Sequence, residues 1–223
     1  MWYQAWGRYS WNCHRGEDKS FWKKTIADYY ATDTITTARI IEAYDESGEI
    51  APKLLRRFGI TEGNRQCLLL GMKMSQLVNP YKYTIYPGFY ESCGPTGEKL
   101  IEYVEKEWKH ESHVGELPLD IVAQCVSHGD KAVEALKGLA GNIRQNRDEF
   151  MRLVNDINCY RDFACSFRYK VLAAEQVLNY KWSKNVAFLQ KAVPLLEKSD
   201  AYYRDLVEKT KDTYYNANSM LTS

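Results

Sequence analysis

No apolar run in this chain approaches the roughly 20 residues that a membrane-spanning helix needs, and the mean hydropathy is −0.51. That pattern excludes a membrane span. An excess of one charge is missing as well: 30 Lys and Arg stand against 29 Asp and Glu. Nucleic-acid binders carry a basic footprint, so a net charge of +1 gives no support to a nucleic-acid partner. The C-x-x-C spacing is absent too. Cys13, Cys67, Cys93, Cys125, Cys159 and Cys165 therefore read mostly as buried free thiols, not as a disulfide framework. No basic flank and apolar stretch leads the chain, because Met1 runs straight into Trp2-Tyr3-Gln4-Ala5-Trp6. No signal peptide is expected. An aromatic segment at the very start reads as the interior of a larger polypeptide, and this leaves the compartment open.

Catalytic signatures are missing in the same way. There is no G-x-S-x-G, no H-E-x-x-H and no phosphate-cradling glycine loop. No catalytic residue is assigned and no cofactor is expected. His110 and His113 are close enough in sequence to share a helix face, with His128 the other nearby histidine. A zinc site would need more ligands and a hydrogen-bonded surround. They read as solvated surface histidines, and no metal is expected.

Beyond Gly141 the chain has no glycine and one proline, Pro194. Removing the main helix breakers permits very long helices. Phe150, Leu153, Val154, Ile157, Tyr160, Ala164, Phe167, Val171, Ala174 and Leu178 recur at helical spacing. They predict one long helix with a continuous apolar face. After a Ser183 cap, the residues Leu189, Val193, Leu196, Tyr203, Leu206, Val207 and Tyr214 predict a second helix. A short turn makes the pair antiparallel, and Pro194 should kink the second member. Shorter helices are expected from Asp18 or Ser20 to about Ala31, and from Thr34 to Gly48 with Ala38, Ile41 and Tyr44 buried. Others follow over Leu54–Phe58, from Thr61 to Val78, from Leu100 through Trp108, and from Pro118. Gly129-Asp130 should break that last helix and cap the next. The fold class is mainly α: a helical bundle with a long antiparallel helix pair at the C-terminus and a short strand-like segment at the N-terminus. Residues 1–95 would hold the strand-like segment, short helices and an aromatic loop; residues 96–223 would form the bundle.

Aromatics are plentiful, at 13% of the chain. Trp2, Gln4, Trp6 and Arg8 alternate with Tyr3, Ala5, Gly7 and Tyr9, as on the two sides of a strand. Flat rings beside polar donors suit sugars, whose CH groups stack on the rings and whose hydroxyls take hydrogen bonds. Arg8 could also hold a carboxylate by two bonds. Arg8 and Trp11 are thus candidate substrate-binding residues, weighed against ordinary core packing. The stretch from Asn79 to Pro95 contains Tyr81, Tyr83, Tyr86, Phe89 and Tyr90. Tyr83 and Tyr86 are candidates on the same grounds, weighed against interface packing. Asp156, flanked by Arg152 and Tyr160 at helical spacing, reads as a structural polar contact.

The run Trp6-Gly7-Arg8-Tyr9-Ser10-Trp11-Asn12, followed by a charged stretch and Phe21-Trp22, resembles the end of the catalytic barrel in α-glucuronidase-type glycoside hydrolases and related bacterial polysaccharide-degrading proteins. Arg152 to Ile157 and Tyr169 to Ala174 are similar to the long helices of their C-terminal domains. This chain has Asn12-Cys13-His14 where that family more often has Asp-Pro. The resemblance implies a non-catalytic helical region that supports an upstream catalytic barrel of the same polypeptide and takes part in a homodimer. The family's catalytic carboxylates lie in the barrel, and none maps here. Two other readings stand beside it. One is a stand-alone carbohydrate-binding helical module, with an oligo- or polysaccharide as partner. The other is an enzyme in its own right, which convergent carboxylates in a large cleft would favour.

Overall fold

A computed structural model describes residues 2–14, 16, 18–58, 73–80 and 95–214. The described residues form helices, with no strand and a single isolated bridge between Gly97 and Glu116. The helices are α1 (Trp2–Trp11), α2 (Lys19–Tyr30), α3 (Thr34–Gly48), α4 (Ile50–Phe58) and α5 (Met74–Val78). They continue with α6 (Leu100–Lys109), α7 (Pro118–Leu136), a 3₁₀ turn (Leu139–Asn142), α8 (Arg147–Ser183) and α9 (Ala187–Thr210).

The mainly α fold and the long C-terminal helix pair are as the periodicity predicts; the N-terminal strand is not. Residues Trp2–Trp11 are helical. A short aromatic run does not discriminate strand from helix by its period. A lone strand would have no ladder partner here, whereas a helix satisfies its backbone groups internally. Contacts that skip along α1 fix it to α2: Arg8 pairs with Asp18, and Trp22 Nε1 donates to Tyr9 Oη at 3.2 Å.

Local signals set several boundaries. Asp33 caps α3, its carboxylate accepting from Thr36 N at 2.8 Å and Thr36 Oγ1 at 2.9 Å. The buried face of α3 is Thr36, Thr37, Ile40, Ala43 and Ser47, about one residue round from the expected face, so that Ala38 is exposed. Pro118 occupies the first turn of α7, where its missing N–H costs nothing. Gly129 does not break α7. A Cβ there would lie 3.0 Å from Arg161 Cα, so the bare position lets α7 and α8 approach closely. The helix continues to Leu136, and the chain turns at Gly138 with φ +76°.

α8, 37 residues long, is the spine. It packs on α3, α5, α6, α7 and α9. Its C-terminal half joins a core with Ile50, Leu54, Leu100, Val104, Ile121 and Val122. Its N-terminal half, through Phe150, Leu153 and Ile157, joins a second core with Ile26, Tyr30, Ile40, Ala132 and Leu136. α9 runs antiparallel to α8. Tyr169 stacks on Tyr202, Ser166 meets Ser199, and Asn155 Nδ2 donates to Lys209 O at 3.2 Å. Its packing face differs from the one expected: Ala192 and Ser199 are buried, with Leu189, Leu195, Tyr202 and Leu206 partly so. Val193, Leu196, Tyr203, Val207 and Tyr214 lie exposed, and Pro194 sits within the helix without ending it.

Candidate functional site

The expected substrate-binding residues divide between surface, structural contact and undescribed chain. On α1, Tyr3 is 95%, Trp6 74% and Trp11 91% exposed. Arg8 faces inward: its guanidinium lies 3.6 Å from the centroid of the Phe21 ring and pairs with Asp18. The arginine that could have gripped a carboxylate therefore already holds one, while Trp11 presents an open ring. Tyr83 and Tyr86 lie outside the described residues, as does most of the aromatic loop and the expected helix start at Thr61.

One polar cluster has no counterpart in the sequence pattern. It joins the end of α4 to the segments on either side of α6. Arg56 Nε donates to Glu116 Oε2 at 3.2 Å. Arg57, which is buried, donates to the same oxygen at 3.0 Å and to Pro95 O at 2.9 Å. Nearby, buried Glu98 receives Lys106 Nζ at 2.8 Å, His113 Nδ1 at 2.8 Å and Val114 N at 2.7 Å. His113 also reaches Glu107 through Nε2 at 2.7 Å and stacks on Tyr103 with centroids 4.6 Å apart. The histidine expected to be solvated is thus held between two carboxylates, and both raise its pKa, Glu107 more than Glu98. Burial pulls the Glu98 carboxyl upward, but Lys106, His113 and the Val114 N–H outweigh it and hold Glu98 below its usual range. Glu116 behaves alike: burial raises it, and Arg57 and Arg56 overcome that. Two close backbone approaches complete the cluster. A Cβ on Gly97 would collide with Arg57, and one on Gly115, at φ +70°, with the Thr96 carbonyl. The two glycines and the two arginines are its sequence signal, but they come from segments some 40 to 60 residues apart.

This cluster is suited to fastening chain segments together. Glu98 and Glu116 are held ionised, whereas a glycosidic general acid needs a raised pKa. Among the described residues, Glu175 is the carboxyl pushed upward, by burial first and by Glu107 in addition. Glu107 itself is bonded to His113. Asp156 accepts from the Tyr214 hydroxyl, not from the expected Arg152 and Tyr160. Arg152 turns to Glu149 at 3.2 Å instead, and Tyr160 is exposed. His128 Nδ1 meets Glu46 at 2.6 Å, and His110 ends α6 in the left-handed region. Among the described residues no three His, Cys, Asp or Glu side chains converge as a metal site would require. Nor is any helix among them long and apolar enough to cross a membrane.

Of the described cysteines, all free thiols, Cys13 is exposed, Cys125 and Cys165 are buried and Cys159 is partly so. Burial pushes the Cys125 thiol up to about 12, which makes it unreactive. Cys67 and Cys93 lie outside the described residues. A cavity of about 200 Å³ opens between the end of α7 and the start of α8, lined by Val133, Leu136, Phe150, Met151, Val154 and Ile157 among others. It falls below the usual ligand-pocket range of about 300–1,000 Å³.

No protein-family model matches the sequence, and no curated protein matches it. Among solved structures, one described as a GH138 enzyme targeting pectin rhamnogalacturonan II matches at 61% sequence identity and a TM-score of 0.91. The match covers 98% of this chain and 32% of that one, so this chain spans about a third of that enzyme's length. Over nearly its whole extent, the chain is therefore similar to one portion of a larger, pectin-targeting glycoside hydrolase.

Proposed function

We propose that this chain is the helical, non-catalytic region of a glycoside hydrolase of the GH138 kind, and that the whole polypeptide acts on an acidic pectic polysaccharide. The carrying observation is the 61% identity to part of such an enzyme across 98% of this chain. The α-glucuronidase-type parent suggested by the N-terminal motif is the finer form of the same proposal, since both name glycosidases of uronic-acid-containing glycans. In this reading residues 1–95 form the junction with the catalytic barrel and residues 96–223 form the supporting bundle. Packing of α3 and α4 on α7 would carry that support across the junction.

The exposed rings of Tyr3, Trp6 and Trp11, three on one ten-residue helix, support a docking role for α1. Arg8 would then act by positioning α1 through Asp18 and Phe21. Tyr83 and Tyr86 are proposed as an inter-domain or subunit contact, with homodimerisation the associated role.

The test compares this chain with a longer polypeptide that includes the upstream region, using rhamnogalacturonan II oligosaccharides. Background release by this chain and turnover by the longer polypeptide are expected. Turnover by this chain that vanishes on changing one of its carboxylates would overturn the non-catalytic assignment. Failure of the longer polypeptide to act on any pectic substrate would overturn the parent assignment. Trp6→Ala with Trp11→Ala should lower the longer polypeptide's thermal stability; lost glycan binding at unchanged stability would assign those rings to sugar instead.

A further inference from the structure

From Gln176 to Leu196 the sequence has no Asp or Glu, yet it has Lys181, Lys184 and Lys191, in a chain whose charges otherwise nearly cancel. This stretch is the tip of the α8–α9 hairpin. Trp108 of α6 leans onto it. Its Nε1 donates to Asn179 Oδ1 at 2.7 Å, and its ring meets Phe188 edge to face with centroids 6.5 Å apart. Lys191 Nζ lies 5.4 Å from the Phe188 centroid. Trp182 sits one helical turn beyond Asn179, on the same side of α8. Both indoles stay open to solvent, Trp108 at 40% and Trp182 at 45% exposure. Lys184 ends α8 in the left-handed conformation, φ 59°, and its ammonium reaches Lys181 O at 2.8 Å.

The negative end of the α8 dipole accounts for Lys181 and Lys184. It does not account for Lys191, which lies near the positive end of α9 with no acidic residue in that helix's first turn. Nor does it account for two half-exposed indoles beside these charges. An indole fixed by a hydrogen bond at its edge offers a ready face for the CH groups of a sugar ring. The ammonium groups of Lys184 and Lys191, on the hairpin tip against which it leans, complement carboxylates.

We infer that the tip of the α8–α9 hairpin binds an acidic oligosaccharide, a run of uronate sugars. Trp108 and Trp182 stack on sugar rings, and Lys184 and Lys191 pair with their carboxylates. The choice of a uronate glycan rests on the proposed function; the tip holds a substrate chain and does not cleave it.

The test is affinity electrophoresis of the full chain in gels containing polygalacturonate or its fully methyl-esterified form. Polygalacturonate should retard the chain, the ester should not, and added salt should weaken the retardation. Lys184→Gln with Lys191→Gln should abolish it, and Trp182→Ala should weaken binding about tenfold with the helical dichroism unchanged. If Trp182→Ala loses helicity, the lysine variants decide alone, since both lysines are exposed. Unchanged retardation of the lysine double variant, or equal binding of the ester, overturns the inference. Turnover of rhamnogalacturonan II by the longer polypeptide is a separate reading. If it is present while the lysine variants still bind polygalacturonate, this site alone fails. If it is absent while they lose binding, the site stands and the glycosidase assignment falls.

Discussion

α8 and α9 have similar apolar periodicity but occupy opposite positions in the fold. α8 buries twelve residues and touches five other helices; α9 buries Ala192 and Ser199 and rests mainly on α8. The difference teaches that a helical stripe marks an amphipathic face without saying how much of it will be covered. On α8 the stripe became the spine of both cores. On α9 the small residues Ala192 and Ser199 turn inward, because they permit close approach, and the bulky Val193, Leu196, Tyr203 and Val207 are displaced outward.

The sharpest test of that contrast is truncation on the two helices. Phe150→Ala empties a fully buried site and should cost about 3–5 kcal/mol, whereas Leu196→Ala, on the exposed flank of α9, should cost under about 1 kcal/mol. Urea unfolding of both variants measures the difference, and equal losses would mean that α9 is covered as α8 is. The pairing of the two helices can be broken electrostatically. Asp162 of α8 is buried and pairs with Lys209 of α9, with Arg161 Nη1 3.6 Å away. Lys209→Met should cost about 2 kcal/mol, because a buried carboxylate loses its main partner. A neutral result would show that Arg161 suffices.

A comparable loss, about 2 kcal/mol, is expected on the other side of α8 from Gly129→Val, which pushes a branched side chain against the Arg161 backbone. A gain in melting temperature would show that α7 can move away. Ser199→Ala should cost about 1 kcal/mol. It removes one of two reciprocal bonds, in which Ser166 Oγ donates to Ser199 O at 2.9 Å and Ser199 Oγ to Ser166 O at 2.8 Å.

The smallest expected effect depends on pH and lies away from the hairpin, at His113. Its pKa is raised above 6.5, so its stabilisation is complete below that value and is lost as the pH rises through the raised one. Glu98 works at the other end. Its pKa is lowered below 4.5, so its share is present above that value and fades as acid approaches the lowered one. The stability gap between the wild type and His113→Gln should be widest near about pH 5.5 and should shrink in mild alkali. A gap that is flat with pH would show that His113 acts through its stacking on Tyr103 alone.

By itself the sequence determined the helical class and the long C-terminal pair. Freedom from glycine and a sustained apolar repeat are local facts, and a helix closes its hydrogen bonds locally. Pro118 and the stop near Gly48 were legible for the same reason. Tertiary structure decided what those facts leave open. Gly129 could have been a break or a close contact, and only Arg161 on the opposite helix makes it the latter. Trp2–Trp11 could have been strand or helix, and Asp18, Phe21 and Trp22 across the turn hold it as a helix. The cluster of Arg56, Arg57, Glu98, His113 and Glu116 was invisible along the chain, because each charge looks like an ordinary polar residue until folding removes its water. The same holds for the hairpin tip. Its lysines and Trp182 share one stretch of sequence, but Trp108 comes from a distant one, and only its packing on Asn179 and Phe188 brings it to the tip.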